Sequence, residues 1–193
     1  MKTIHYFFFL TMATILMAAD CSNKDSEFYN DVFVYSPNLA NVEVVGISNQ
    51  TVYVNADIPR YLDVTGQTNV LDIFKTTGGA TKLNFSYELE KETAGTWDYV
   101  TVSNSQLLIE AGLAEAGSFV FGRTVLNTVN QTYEYRVGIQ SLPAGNYRLS
   151  FGYNSTSTTD VEFRSESTGN NLFVNLKSAY PALDGGYYHF TIN

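Results

Sequence analysis

The amino-acid sequence predicts an all-β protein, built as an antiparallel sandwich of two sheets. Apolar and polar residues alternate with period two in one segment after another, which is typical of strands with a single buried face. Clusters of glycine, proline and threonine separate these segments at short intervals, as turns separate strands. About ten such strands, each with one polar face, favour two antiparallel sheets packed face to face.

The predicted strands follow the chain from residue 31 to residue 192. The three longest alternations have an aromatic or aliphatic side chain at every second position and lie at residues 83–90, 133–140 and 147–153. Shorter alternations predict further strands at residues 31–35, 42–47, 51–55, 70–75, 97–102, 161–164, 172–177 and 188–192. Turn clusters lie between them at residues 76–79, 93–96, 143–145 and 184–186.

Residues 103–117 support two interpretations. Ser103 and Gln106 have the spacing of a capping box, and Gly117 is a possible stop, so a helix of three turns is one interpretation. The other is a strand at 106–110, a turn at Ala111-Gly112 and a second strand at 118–126. We prefer the second, because an Ile-Glu-Ala-Gly turn between strands recurs in bacterial sandwich domains.

Two segments share a pattern that predicts how strands are connected. Residues 142–151 and 183–192 match at a leucine, a glycine, a tyrosine and two apolar positions, which places Tyr147 and Tyr188 in equivalent places. A glycine two residues before a tyrosine at a strand start resembles the tyrosine corner of Greek-key sandwiches, in which the phenol ties a crossover loop to its strand. The alternative is a plain turn followed by an amphipathic strand.

Composition and charge exclude several classes of function. The formal net charge is −8, whereas a nucleic-acid-binding protein needs a basic footprint. With 14 Tyr, 13 Phe and only 16% charged residues, the chain is expected to fold around an aromatic-rich core. His189 is the only histidine beyond His5, and this excludes multi-histidine metal sites in the domain.

The N-terminal region has the features of a bacterial lipoprotein signal. Residues 1–20 combine Lys2, a short apolar core and small residues near its end, and the core is shorter than the about 20 residues that a membrane span needs. Cys21, the single cysteine, follows directly, which predicts cleavage before it and lipid attachment to its thiol. Asp20 is unusual just before such a cysteine, so ordinary cleavage after Ala19 is the alternative.

The rest of the chain divides into a short tether and one domain. Residues 21–30 are predicted to be a flexible tether, because residues 22–27 are polar and charged. Residues 31–193 are predicted to be a single β-sandwich domain, since the roughly 170 residues left after cleavage suit one core.

Several of these features together resemble the immunoglobulin-like sandwich lipoproteins of Bacteroidetes. They are the signal with its acidic tether, the glycine pair after residues 71–75, and Leu-Ile-Glu-Ala-Gly at residues 108–112 followed by strands. The resemblance implies an immunoglobulin-like domain on the outer membrane, either at the cell surface or facing the periplasm. Because many such proteins are encoded beside glycan-uptake systems, it also implies a glycan or an uptake protein as partner. It carries no catalytic residues.

Two groups of residues are candidates for ligand binding. Trp97, the single tryptophan, has Asp98 and Tyr99 beside it, and an exposed indole next to a carboxylate suits the stacking of a sugar ring. Tyr187, after two glycines and near Asp184, suits the same role. The alternative is that Trp97 fills the core, as a single tryptophan usually does in a sandwich.

The acidic residues do not predict catalysis. Glu88, Glu90 and Glu92 fall on one strand face, and a glycosidase needs two carboxylates at a set separation across a cleft. Alternating glutamates on a strand are more typical of a solvated face that blocks edge pairing. We therefore predict no catalytic residues, and we predict no metal or other cofactor because no Asp-x-Asp-x-Asp spacing is present.

These inferences predict a non-enzymatic binding lipoprotein anchored to the outer membrane, with a glycan or a glycan-uptake protein as its partner. The alternative is a structural or adhesive subunit, similar to a pilin, that pairs strand edges with a partner chain. A third class, a glycoside hydrolase or lyase, would need turnover and two close carboxylates in a cleft.

Overall fold

Strands make up most of the described chain, as predicted. The computed structural model describes residues 31–40, 43–48, 50–151, 160–167, 170–178 and 187–193, all within the unit Asp31–Asn193. The strands are β1 (Asp31–Ala40), β2 (Glu43–Ser48), β3 (Thr51–Pro59), β4 (Tyr61–Leu62), β5 (Leu71–Asp72), β6 (Lys82–Thr93), β7 (Thr96–Tyr99), β8 (Leu107–Ala111), β9 (Leu113–Glu115), β10 (Val120–Asn127), β11 (Thr132–Ile139), β12 (Gly145–Ser150), β13 (Asp160–Ser165), β14 (Asn171–Ser178) and β15 (Tyr187–Ile192). Helix is confined to α1 (Ile73–Thr76) and a 3-10 turn at Asn104–Gln106 in these residues. The all-β prediction is confirmed.

The strands form one large mixed sheet and a small second one. Thirteen strands belong to the large sheet, whose main path runs β1-β14-β13-β6-β10-β11-β3-β2, and β4 pairs with β5 separately. The prediction of purely antiparallel pairing is wrong for β1, which runs parallel to β14 from Asp31↔Asn171 to Ser36↔Leu176. Parallel neighbours need a long connection, and almost the whole described chain lies between these two strands.

Strand β6 is the centre of this arrangement because its two halves have different neighbours. Its first half pairs with β10 and β13. Its second half pairs with β12 on one side and with β7 on the other. Since β15 pairs with β12, the order β15-β12-β6-β7 forms a four-stranded region. This region carries the predicted aromatic residues.

The described apolar positions of the three longest predicted alternations belong to the core. Each is at most 4% exposed, and the positions on the three longest alternations are Leu83, Phe85, Tyr87, Leu89, Tyr133, Tyr135, Val137, Ile139, Tyr147, Leu149 and Phe151. Burial of a large apolar side chain stabilises a fold by roughly 1.5–3 kcal/mol, so these faces hold the strands together.

Aromatic rings from different strands meet at the middle of the core. Phe85 lies 4.8 Å from both Tyr135 and Phe163, measured between ring centroids, and its contact with Tyr135 is edge-to-face. Gly122 makes this packing possible, because a Cβ atom there would lie 2.7 Å from Cε1 of Phe85. The glycine inside strand β10 is therefore a packing requirement.

Residues 103–117 adopt the preferred strand and turn instead of the helix, and they contain in addition a short strand, β9, that was not predicted. The capping box is also present, with the Ser103 amide donating to Oε1 of Gln106 at 3.1 Å, but it starts only the 3-10 turn. The chain then continues as β8, which pairs with β11, so its backbone groups enter a sheet ladder instead of a helix. Gly112 makes the turn with a φ of +76°, and β9 and β10 follow.

Residues 70–75 differ from the strand predicted there. Strand β5 ends at Asp72, whose carboxylate accepts a hydrogen bond from the Lys75 amide at 3.2 Å and caps α1. Arg60 holds the same carboxylate with two bonds of 2.7 Å each. Such capping favours a helical turn over extension, and the distant Arg60 was not visible in the local pattern.

The hydrogen bond expected of the first predicted tyrosine corner is present. The Tyr147 hydroxyl donates to the Pro143 carbonyl, four residues earlier, at 2.6 Å. In the second segment the residues 179–186 lie outside the described part of the chain, while Tyr188 lies in β15 and packs against the core. The two similar segments are neighbours, since Gly145 of β12 pairs with Ile192 of β15.

Candidate functional site

One face of the β15-β12-β6-β7 region brings three of the predicted ligand-binding residues together. Trp97 is opposite Glu92, Tyr99 is opposite Glu90, and Tyr187 is opposite Ser150. Side chains directly opposite each other share a face of a sheet, as do alternate residues along a strand. We call the aromatic face the surface formed by Glu88, Glu90, Glu92, Trp97, Tyr99, Asn146, Arg148, Tyr187, His189 and Thr191.

Arg148 lies at the centre of the aromatic face. Its Nε donates to Oε2 of Glu90 at 2.6 Å, and Nη2 contacts the same oxygen. The guanidinium carbon lies 4.6 Å from the Trp97 ring centroid and 3.6 Å from that of Tyr187. A guanidinium stacks on aromatic rings while it bonds a carboxylate in its plane, so Arg148 links the two predicted residues.

The imidazole of His189 completes the aromatic contacts. Its ring centroid lies 5.2 Å from that of Trp97, at an interplanar angle of 74°, and 6.3 Å from that of Tyr187. His189 is exposed and opposite Arg148 in the β12–β15 ladder. The indole of Trp97 is therefore held on two sides and is not part of the core.

Glu90 differs from the solvated face that the alternating glutamates predicted. It is only 5% exposed, because Arg148 covers it. A buried carboxylate is tolerated when a charged partner bonds it, which explains why glutamate is found here on a largely buried strand. The local pattern did not identify this pair, since the two residues are 58 positions apart.

Asp98 and Asp184 stand apart from the other predicted residues. Asp98 is opposite Lys91, and successive residues of a strand point to opposite faces, so its carboxylate is on the other side of β7 from Trp97 and Tyr99. The carboxylates that share a face with the two rings are those of Glu88, Glu90 and Glu92. Asp184 and Cys21 lie outside the described residues.

A pocket of about 250 Å³ opens beside Trp97. Its lining consists of Glu92, Trp97, Asn146, Tyr147, His189, Phe190 and Thr191. The Asn146 side chain orders the polar part of this lining. Its Nδ2 donates to Oε2 of Glu92 at 2.9 Å, and its Oδ1 accepts a hydrogen bond from the Thr191 hydroxyl at 3.0 Å. The pocket is smaller than the about 300–1,000 Å³ of sites for drug-sized ligands, and it suits a single ring.

The other end of the aromatic face is acidic. Burial raises the pKa of Glu88 above its usual value, and the charge of Glu90 raises it further. The charges of Glu88 and Glu90 are the main causes that raise the pKa of the Tyr99 phenol. Tyr99 is 68% exposed, so an apolar ring surface is open to solvent directly beside these carboxylates.

The aromatic face combines exposed and half-buried aromatic rings with carboxylates. Within the described ranges, no group of three or more His, Cys, Asp and Glu side chains is arranged to hold a metal ion. The helical segments of that same part of the chain are all too short or too polar to cross a bilayer. No protein-family model, curated protein or solved structure matches this chain.

Sequence reasoning identified the rings of the aromatic face but missed the polar groups between them. Arg148, Asn146 and Thr191 belong to ordinary amphipathic strands and carry no local signal. Their role depends on the pairing of β12 with both β6 and β15, which sequence spacing does not reveal.

Proposed function

We propose that this protein is a non-enzymatic binding lipoprotein of the outer membrane, and that its aromatic face binds glycan. The observation that carries the proposal is the placement of Trp97, Tyr99 and Tyr187 on one sheet face, with carboxylates between them. Sugar rings present apolar C–H groups on their flat sides and hydroxyls around their edges. Aromatic rings stack on the former, and carboxylates and amides bond the latter.

The pocket beside Trp97 supplies the polar half of this recognition. Glu92 and Asn146 lie at its wall, next to the indole, and the hydrogen bond between them holds their side chains in place. A site whose groups are already ordered loses less entropy when a ligand binds. This order favours recognition of a ring at one end of the face, while Tyr99 offers a second stacking surface at the other end.

The proposal includes an immunoglobulin-like Greek-key sandwich as the scaffold. Two observations support it: β6 divides its pairing between two sets of neighbours, and the Tyr147 hydroxyl bonds the Pro143 carbonyl as in a tyrosine corner. An experimental structure whose β12 and β15 do not pack over the β3–β11 face would contradict this part.

Anchoring through a lipid on Cys21 is the part of the proposal that depends on sequence alone. Cells expressing the full chain should incorporate a radiolabelled fatty acid into the protein, and Cys21→Ser should abolish the label. Protease treatment of intact cells tests display at the cell surface. A labelled protein that resists protease until the outer membrane is broken would place it on the periplasmic side.

Affinity electrophoresis in gels that contain single polysaccharides tests glycan binding. Retardation by at least one polysaccharide is expected for the full chain, and Trp97→Ala should remove most of it. Tyr61→Ala is the matched control, since Tyr61 also lies beside an arginine but belongs to the separate β4–β5 sheet. Equal retardation of wild type and Trp97→Ala, or none on a broad panel, would contradict the proposal.

A second candidate is the adhesive subunit that pairs strand edges. It is supported by β15, which pairs with β12 on one side and with no other described strand on its second side. An edge of this kind is a template for a strand from another chain. Analytical ultracentrifugation over a wide concentration range tests it, because a protein that is monomeric throughout, with or without cell-surface extract, does not assemble in this way.

A further inference from the structure

We infer that the aromatic face ranks saccharides by charge: those with an amine bind more tightly than neutral ones, and neutral ones more tightly than acidic ones. The inference rests on the proposed glycan binding and adds the chemical class of the ligand. It follows from the charges and hydrogen bonds of the face itself.

The charge of the aromatic face is negative. It carries Glu88, Glu90 and Glu92 against Arg148, and Arg148 is bonded to Glu90. Neither Glu88 nor Glu92 is in a salt bridge with any residue that the structure describes. Among the described residues these two carboxylates therefore have no cation within salt-bridge distance, and a ligand with a positive group would supply one.

Glu92 supplies the pocket with a carboxylate acceptor for the ligand. One N–H of the Asn146 side-chain amide donates to Glu92, and the Thr191 hydroxyl donates to the Asn146 side-chain oxygen. An ionised carboxylate accepts through both oxygens and donates nothing, so Glu92 keeps acceptor sites toward the pocket. An ammonium group has three donors and no acceptor, and it matches this arrangement better than a hydroxyl does.

Trp97 places this carboxylate next to a stacking surface. Glu92 and Trp97 are directly opposite each other in the β6–β7 ladder, and both line the pocket. A sugar ring stacked on the indole therefore has one edge close to Glu92. An amine at that edge gains a charge-assisted hydrogen bond, whereas a uronate carboxylate there meets a like charge.

The acidic end of the face strengthens the same ranking. The pKa of Glu88 is raised partly by the nearby charge of Glu90, so additional negative charge from a ligand is disfavoured at this end as well. A saccharide long enough to reach from the pocket toward Tyr99 therefore meets carboxylates at both ends of the face.

Isothermal titration calorimetry with three matched ligands tests the ranking. The probes are hexamers of β-1,4-linked glucosamine, glucose and glucuronate, titrated into the full chain at one pH and one ionic strength. The expected order of affinity is glucosamine, glucose, glucuronate, with at least a fivefold difference between the first and the last. Added salt should reduce that difference, because it screens partly exposed charges.

Glu92→Gln and Asp98→Asn are a matched pair of variants that tests whether the charge preference arises on the aromatic face. Both remove one negative charge from the same β6–β7 ladder, but Asp98 is on the opposite face. We expect Glu92→Gln to lower glucosamine-hexamer affinity several-fold more than glucose-hexamer affinity, while Asp98→Asn changes neither. Equal losses in the two variants would overturn the inference, because net charge alone would then explain the preference.

The remaining outcomes separate this inference from the proposed function. Glucuronate binding as tight as glucose binding overturns the charge ranking and leaves glycan binding intact. The ranking is also overturned if no hexamer binds while another polysaccharide is retained through Trp97. Loss of binding to every saccharide tested would contradict the proposed function itself.

Discussion

Each of the five arginines in the chain lies over an aromatic ring and pairs with a carboxylate. The guanidinium carbons are 3.6–5.1 Å from the ring centroids, and the residues are Arg60, Arg123, Arg136, Arg148 and Arg164. A planar cation can stack on a ring and bond an acid at its edge at the same time. Each arginine charge is consequently neutralised by a nearby carboxylate. The excess of Asp and Glu over Lys and Arg gives the chain its net negative charge.

Among these arginines, Arg148 should contribute most to stability. Arg148→Ala leaves the buried carboxylate of Glu90 without its cation, and loss of one partner of a buried pair costs about 3–5 kcal/mol. We expect a loss of about 3 kcal/mol in the free energy of unfolding, measured by urea denaturation. Arg136→Ala is the control, because the Arg136 and Glu110 side chains are 36% and 42% exposed, and its loss should be much smaller. Equal losses would contradict the assignment of a buried role to Arg148.

A second residue-scale prediction concerns the two phenols at the centre of the core. The hydroxyls of Tyr87 and Tyr135 are 2.9 Å apart and buried. Tyr87→Phe should leave the Tyr135 hydroxyl without this partner and cost about 1–3 kcal/mol. The double variant with Tyr135→Phe should cost less than the sum of the two single ones, because neither hydroxyl is then left behind. Additive losses in a double-mutant cycle would show that the two hydroxyls do not interact.

At the scale of elements, the turn between β8 and β9 could be predicted from the local sequence pattern, whereas the helix α1 could not. The turn at Ala111-Gly112 was predicted from the Ile-Glu-Ala-Gly sequence, which recurs between strands in bacterial sandwich domains, and the turn needs that glycine for its positive φ. By contrast, α1 was missed. Its formation depends on the Asp72 cap and on Arg60, which precedes Asp72 by 12 residues in the sequence.

Gly112 gives a direct test of the β8–β9 turn. Alanine there meets the φ of +76° and places Cβ 2.7 Å from the Arg123 carbonyl oxygen. Left-handed strain of about 1–2 kcal/mol and an overpacking cost of about 1–3 kcal/mol are expected together. Gly95→Ala is the matched control, since its φ is +85° but nothing lies within 4 Å of the added atom. The urea midpoint should fall further for Gly112→Ala, and equal midpoints would show that no close contact exists.

At the scale of the whole molecule, the sequence predicted which side of each strand is buried better than it predicted which strands pair with each other. The apolar positions of β6, β11 and β12 were identified because alternation alone decides which side chains are buried. The aromatic face was only half predicted, since Arg148 and Glu90 meet across a strand pair that no local rule specifies. The parallel pairing of β1 with β14 was missed for the same reason. Binding sites built across strands thus depend on register, which a single sequence constrains weakly.

The buried phenols make the stability of the whole domain sensitive to alkaline pH. Burial raises the pKa of Tyr87 and of Tyr135 above the ordinary value of a tyrosine. In the unfolded chain both phenols ionise near pH 10, whereas in the folded state they keep their protons, so the folded state binds more protons above that pH. Stability is therefore fully present below about pH 10 and falls as the pH rises beyond it, by up to about 1.4 kcal/mol per pH unit for each phenol.

Urea denaturation between about pH 8 and pH 11, together with tyrosinate absorbance, measures this alkaline dependence. The free energy of unfolding should be nearly constant to about pH 9.5 and then decrease, and tyrosinate should form in a step that coincides with unfolding. The Tyr87→Phe, Tyr135→Phe double variant is the control, because it lacks two of the groups that drive the decrease and should show a shallower slope. A slope unchanged in that variant would mean that other groups cause the alkaline loss. Tyrosinate formation by both phenols without unfolding would mean that the core admits solvent there.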